Sequence, residues 1–465
     1  MAMTKRLLTV FIAFFLPLAA FCGRKEEPKL IAGVLSDVHI HFAKPQMDSV
    51  FLKTLEFFRA QDVDAVLITG DLINDVVEEE LIRFTRVWNT VFPDDKGRGG
   101  KHVEKVFVYG NHEIEGHTYG ASKIRHDEEY MAKYNVADHR AEFWEKYFHE
   151  PYQPFYRKEI KGYTFLASQY INAWEAPGMD EWFKQQEATF PSEDKPIFYI
   201  QHKHPRGTLP RPADNGNSTQ ILSRYPNIIC FSGHTHRSLT DELWCIWQGS
   251  FTCVSPGALS SLGTRPYHEN GAKQQEGHIS QMKVNKCGLG HHGILMKVYE
   301  DRVELHRYDF HNDMPLGVWT IPTDVTNRPY SVKLRREQAA QNPPQFEKKA
   351  KVSFEKVFGK NREGKRVKQI KVEFPVVISH GSSPRALDYK IVVERLVNDE
   401  PVPVLEKLVY SHHFYMYEKA DKRDGAWCVF AESELPETGP FRFAVYPQDS
   451  FGNAGNPIYS SYMIL

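Results

Sequence analysis

Short apolar runs and stretches of helical period take turns through the first part of the chain. LIAGVLSD, from Leu30, is followed by a stretch with apolar positions at Val50, Leu55, Phe57 and Phe58; DAVLITGD comes next, then a second helix-like stretch from Val76 to Val91. Runs of about four to eight apolar residues predict strands, and recurrence every three or four residues predicts helices. Their alternation predicts an α/β architecture. Further strands are predicted in KVFVYGNHE, YTFLASQY, PIFYIQHKHP, NIICFSGHTH and FTCVSPGAL, and ILMKVYED with RVELHRYDF reads as a hairpin. Together these place one domain over residues 28–322.

Past Ile321 the pattern changes. TDVTNRPY and EQAAQNPPQFEKKAK are rich in Pro, Gln and charge with little apolar periodicity, which predicts a linker over residues 323–349. From 350 to 465 apolar residues alternate at period two in VKQIKVEFPVV, YKIVVERL, VLEKLVY and FRFAVYPQDSFGNAG, predicting a small antiparallel β-sandwich. Its final stretch, FRFAVYPQDSFGNAGNPI, resembles the last two strands of a fibronectin type III module.

The beginning of the chain reads as a targeting segment. Lys5 and Arg6 precede an apolar run from Leu7 to Ala20, interrupted by Thr9, and charge resumes at Arg24. That run is shorter than the roughly 20 residues a spanning helix needs, so residues 1–22 are predicted to be a signal peptide and the protein to be exported. The stretch ending Ala19, Ala20, Phe21, Cys22 resembles a bacterial lipoprotein signal, with Phe21 where that signal has a small residue. The expected location is periplasmic, secreted or, through a lipidated Cys22, anchored to a membrane at the cell envelope.

Composition removes other classes of function. Fifty-eight basic and 59 acidic side chains give a net charge of −1 over 465 residues, which carries no signal for nucleic acid. Six cysteines without a C-x-x-C pair exclude a disulfide scaffold or zinc-finger array, leaving Cys245 and Cys253 as the candidate pair. The chemistry must reside in local sites.

Five strand ends carry side chains of one kind: Asp37 and His39 in SDVH, Asp71 in TGD, Asn111 and His112 in GNHE, His202 in QHKH, and His234 and His236 in GHTH. Residues two apart in a strand share a face, so each D-x-H or H-x-H pair can pinch one ion. All five follow apolar runs, placing them at carboxyl strand ends, where open α/β sheets bind ligands. Carboxylate, carboxamide and imidazole without thiolate suit Mn, Fe or Zn, and seven such ligands, His112 set aside, suit two ions rather than one.

In that order, D-x-H, G-D, G-N-H-E, H and G-H-x-H resemble the calcineurin-like metallophosphoesterase family over Asp37 to His236. The resemblance implies a four-layer fold with two mixed sheets flanked by helices. It implies that Asp37, His39 and His236 hold one divalent ion, that Asn111, His202 and His234 hold the other, and that Asp71 bridges them. His112 would be the acid beside the scissile oxygen rather than a ligand. The implied reaction is hydrolysis of a phosphodiester or phosphomonoester by hydroxide held between the ions. Protonation of a poor leaving group by His112 tilts the reading toward a diester, with a monoester open.

In QHKHP either histidine can be the ligand; His202 is favoured because it comes first after FYI, leaving His204 to the substrate or to a supporting position. Many relatives carry a second Asp three residues past the bridging one, where this chain has Asn74, a hydrogen-bonding candidate for substrate. His41 reads as a rim residue, and His412 and His413 as surface. His268, His278, His291 and His292 flank or occupy a long polar segment from Leu262 to Gly290 that is expected to form part of the substrate rim. The charged, aromatic stretch from Glu113 to Glu150 is expected to be a helical excursion on the core or a specificity element. A different class of function is a docking protein in which the C-terminal sandwich attaches to a glycan or partner and the metal domain is secondary.

Overall fold

The computed structural model describes residues 26–42, 44–116, 128–171, 177–210, 213–263, 265, 268–269, 291–361, 363–377, 384–411 and 425–465. The expected signal peptide with Cys22, and His278, Cys287, His412 and His413, lie outside them.

Leu30 opens β1 (Leu30–Leu35), which is followed by α1 (Gln46–Ala60), β2 (Ala65–Ile68), α2 (Glu78–Val91) and β3 (Glu104–Phe107). Next come α3 (Asn111–Glu115), α4 (Glu128–Tyr134), α5 (Arg140–Phe148), β4 (Phe155–Ile160), β5 (Tyr163–Ser168) and α6 (Met179–Gln186). The chain continues through β6 (Ile197–Ile200), α7 (Asn217–Leu222), β7 (Ile228–Phe231), α8 (Glu242–Cys245), β8 (Ile246–Gln248) and β9 (Thr252–Val254). Three antiparallel strands follow, β10 (His292–Val298), β11 (Arg302–Asp309) and β12 (Met314–Pro322).

These strands form two six-stranded mixed sheets, ordered β12-β11-β10-β1-β2-β3 and β4-β5-β6-β7-β9-β8. In the first, β1, β2 and β3 are parallel, with Ala32 opposite Ala65 and Ala65 opposite Glu104. In the second, β5, β6, β7 and β9 are parallel. The sheets face each other through one apolar core: Ala32, Val34, Leu67 and Val106 from the first meet Phe165, Phe198, Ile200 and Phe231 from the second. The other face of the first sheet is covered by α1, α2 and α5, through Phe51, Phe58, Phe84 and Trp144. Met179 and Phe183 of α6 and Ile221 and Leu222 of α7 cover the outer face of the second. Burial on both faces explains why the parallel strands read as unbroken apolar runs.

Several expectations change in detail. The helix expected from Val76 begins at Glu78, and the stretch to Glu150 supplies α4 and α5, whose Phe143, Trp144 and Phe148 are buried in the core. Cys245 and Cys253 do not pair: the four described cysteines are free, the Cys245 thiol reaches the Ser238 carbonyl at 3.2 Å, and Cys253 is in register with Cys230. His291 and His292 are not rim residues. Nδ1 of His292 accepts from the Leu239 N–H at 3.0 Å, and Nδ1–H of His291 donates to the Leu259 carbonyl at 2.6 Å, both inside the fold. His268 turns toward the C-terminal strands, 2.7 Å from Asp388 and stacked on Tyr410 at 3.6 Å between centroids.

Residues 323–349 carry α9 (Val332–Ala340). No residue of that helix is buried; Arg335 holds it by two bonds to Glu242 at 2.5 and 2.9 Å, and just before it the Tyr330 N–H donates to Gln248 Oε1 while the Tyr330 carbonyl accepts from the Gln248 N–H. Attachment by charge leaves no apolar periodicity to read in the sequence.

Beyond it, β13 (Ser353–Lys360), β14 (Arg366–Pro375) and β17 (Gly425–Ala431) form one antiparallel sheet. β15 (Asp388–Val397), β16 (Glu400–Tyr410), β18 (Phe441–Gln448) and β19 (Ile458–Tyr459) form another. Ile370, Val372 and Phe430 of the former share a core with Ile391, Val393 and Phe443 of the latter. Among the described residues no helix is long and apolar enough to cross a membrane.

Candidate metal centre

Asp37, Asp71, Asn111, His202 and His234 each lie a few residues past the end of β1, β2, β3, β6 and β7. Strand alternation does not orient them, however. Asp37, His39, Asp71, His234 and His236 all adopt left-handed backbone, with φ of 53°, 48°, 54°, 69° and 52°. It is this kink after the strand, not the strand's pleat, that turns the members of each pair inward. Left-handed non-glycine residues cost on the order of 1–3 kcal/mol each and persist where surrounding structure imposes them, as at functional sites. Two glycines allow the close approach. A Cβ at Gly110 would overlap the Asp71 carboxylate, and one at Gly233 would overlap the Ser36 hydroxyl and sit 2.7 Å from Asp37 Oδ2.

The side chains converge in two groups that share one residue: Asp37, His39, Asp71 and His236 form the first, and Asp71, His202 and His234 the second. In the first, His236 Nε2 lies 3.1 Å from Asp37 Oδ1 and 3.2 Å from His39 Nε2, and His39 Nε2 is 3.5 Å from Asp71 Oδ2. In the second, His202 Nε2 is 3.3 Å from Asp71 Oδ2 and 2.7 Å from Asn111 Oδ1, with the His234 ring 5.1 Å away. Backbone carbonyls fix two of the imidazoles: Nδ1 of His202 meets the Thr69 carbonyl at 2.8 Å, and Nδ1 of His236 meets that of Ser261 at 2.9 Å. Each Nδ1 thus keeps its proton and Nε2 faces the cluster, as a metal-binding imidazole requires.

The electrostatics fit the same reading. Burial pushes His39 and His234 down to about 3, so both are neutral and offer lone pairs. Burial acts the same way on His202, but the Asp71 carboxylate outweighs it and raises that imidazole to about 9; Asp37 likewise holds His236 above its ordinary value. Asp71 itself, despite burial, is held well below the usual carboxylate range, first by His202. The proton that His202 holds therefore stands where a cation could stand, and a divalent ion can displace it. Donor set, tautomers and geometry fit two divalent ions.

His112 is the second residue of α3, beside this cluster. Its backbone N–H donates to Asp71 Oδ1 at 2.9 Å, its ring lies edge-on to His39 at 4.4 Å, and Nδ1 meets the Asn74 carbonyl at 2.7 Å. Asn74 reaches the site through that carbonyl; its side-chain amide donates to Asp75 at 3.0 Å. His204 is fully buried and belongs to neither donor group, and its carbonyl accepts from the Asp214 N–H at 2.9 Å.

Three features escaped the sequence reading. Glu113, buried, accepts from the N–H groups of Asp71 at 3.1 Å, Ile73 at 2.8 Å and Gly110 at 2.5 Å. Burial and then Asp71 push its carboxyl up to about 8 against the pull of the Ile73 and Gly110 donors. Its position in GNHE was the available signal. His41 is not a plain rim residue: its Nδ1 lies 3.1 Å from Asp75 and 3.5 Å from Glu80, behind the Asn74 turn. Lys203, Tyr170 and Glu115 form a polar row beside His202, which no motif announces.

Residues 32–238 match the family model described as calcineurin-like phosphoesterase. Among solved structures, a dimetal phosphatase from zebrafish (Danio rerio) is 11% identical with a TM-score of 0.41, covering 64% of this chain and 100% of that one. A purple acid phosphatase from yellow lupin (Lupinus luteus) seeds is 13% identical with a TM-score of 0.43, covering 64% of this chain and 55% of that one. No curated protein matches the sequence. The match over residues 32–238 is to the calcineurin-like phosphoesterase domain, and it supports a metal-dependent phosphoric ester hydrolase as the activity of that stretch.

Proposed function

We propose that the protein is an exported binuclear phosphoesterase in which Asp37, His39 and His236 hold one divalent ion, Asn111, His202 and His234 hold the other, and Asp71 bridges them. The observation that carries this reading is the membership of Asp71 in both donor groups. Bound there, two such ions, of Mn, Fe or Zn, would supply a water of lowered pKa and neutralise phosphoryl charge. The chain's own residues do the rest. Asn111 and His202, fixed by α3 and by the Thr69 carbonyl, keep one edge of the site rigid. With Nδ1 of His112 turned to the Asn74 carbonyl, proton delivery to the leaving oxygen falls to Nε2.

Export rests on the apolar run from Leu7 to Ala20 behind Lys5 and Arg6. The common core of the two C-terminal sheets supports a sandwich of fibronectin type III kind over residues 350–465.

Elemental analysis of protein lacking residues 1–22, followed by turnover of p-nitrophenyl phosphate and bis-p-nitrophenyl phosphate, tests the reading. The expected result is two metal equivalents with activity. Asp71→Asn should lower both metal content and rate, whereas His112→Ala should retain the metals and lose rate by about 100-fold or more. Wild-type rates in both variants would overturn the assignment.

A further inference from the structure

Lys203 stands between the two histidines of QHKH and next to a ligand of the second donor group. Its Nζ donates to the Tyr170 hydroxyl at 3.3 Å and lies 5.2 Å from the centre of that ring. Tyr170 is buried, donates to Glu115 Oε1 at 2.9 Å and sets its ring edge-on to His202 at 6.1 Å. Glu115 closes α3, the helix that Asn111 begins. The ammonium is thus tethered through Tyr170 to the wall of the second donor group.

We propose that Lys203, positioned by Tyr170 and Glu115, binds a non-bridging phosphoryl oxygen of the substrate and makes this site select phosphomonoesters over phosphodiesters. The inference rests on the phosphoesterase reading above and names its substrate class. A monoester carries close to two negative charges at neutral pH, because its second pKa is about 6, whereas a diester carries one. Its terminal phosphoryl group has three charged oxygens, so after two are turned to the metal centre one is left for a third cation; in a diester that position is an esterified oxygen. Charge favours the monoester here, against the preference that leaving-group chemistry alone gives His112.

The test compares kcat/KM for p-nitrophenyl phosphate and bis-p-nitrophenyl phosphate in wild type, Lys203→Met and Lys203→Arg, with metal content measured on each sample. Loss of one charge-assisted contact should lower the monoester-to-diester ratio about 10- to 100-fold in Lys203→Met, with partial recovery in Lys203→Arg and two metals retained in both. Inorganic phosphate, titrated calorimetrically into the metal-loaded proteins, should bind Lys203→Met about tenfold more weakly or worse. Tyr170→Phe should shift the ratio in the same direction by less. An unchanged ratio, or equal loss on both esters with unaltered phosphate binding, would overturn the proposal. If wild type turned over neither ester, the phosphoesterase reading would fail, and the phosphate titration would still decide the role of the lysine.

Discussion

Glu113 is the clearest place to test how the site is held together. Its carboxyl oxygens accept three buried backbone N–H groups, those of Asp71, Ile73 and Gly110, and so tie the left-handed turn at Asp71 to the start of α3. Glu113→Ala removes all three acceptors at once. A buried donor left unsatisfied costs about 1–3 kcal/mol, so the change should destabilise the domain by about 3–9 kcal/mol. In a domain of this size each kcal/mol moves the melting temperature by about 2 °C or more, which puts the expected fall at about 6 °C or beyond. Glu113→Gln is the graded control. Its amide oxygen can stay on the Asp71 and Gly110 donors, while its NH2 faces the Ile73 N–H, so one bond is lost instead of three. It should fall by about 2–6 °C. Differential scanning calorimetry on both variants, with elemental analysis for retained metal, reads the outcome. An alanine variant melting within 2 °C of wild type, or a glutamine variant as damaged as the alanine one, would refute the assignment of Glu113 as the staple of the bridging turn.

Other consequences are open to direct measurement. His202→Ala should reduce bound metal below two equivalents, whereas His204→Ala should keep both; the reverse pattern would exchange the two histidines of QHKH. His292 is held neutral because Nδ1 accepts the Leu239 N–H, and burial lowers its pKa to about 4 from 6.5. The unfolded chain therefore binds that proton first, so His292 supports the fold above pH 6.5 and costs it up to about 3 kcal/mol as pH falls through about 4. His292→Asn, which keeps an acceptor without the proton site, should flatten the fall in melting temperature between pH 6.5 and 4; an identical profile would exclude the effect. Cys230, Cys245, Cys253 and Cys428 should react with dithionitrobenzoate only after denaturation and without a reductant, and a Cys245–Cys253 disulfide peptide found by mass spectrometry would contradict their buried, free state.

The sequence alone determined which polar residues stand past the strand ends and the order in which the fold brings them together. That was possible because strands buried on both faces are written as continuous apolar runs, so the polar residue that ends each run is conspicuous: Asp37 after LIAGVL, Asp71 after AVLI, His202 after IFYI. The period-two stretches after residue 350 likewise declared sheets, since each packs one face on a core and exposes the other. Tertiary structure decided everything that depends on contacts between distant segments. Four left-handed residues turn the two pairs inward and a fifth sits at Asp71, a conformation imposed by neighbours and invisible in local pattern. His202 and His236 are aimed by the carbonyls of Thr69 and Ser261, 133 and 25 residues away in the chain, and a backbone carbonyl carries no sequence signature. Lys203 and the charge-held helix α9 were unreadable for a related reason, and Glu113 had only its place in GNHE to mark it. Hydrogen bonds and ion pairs bind through single atoms in particular places, whereas apolar burial needs a repeated face, and only a repeated face leaves a period in the sequence.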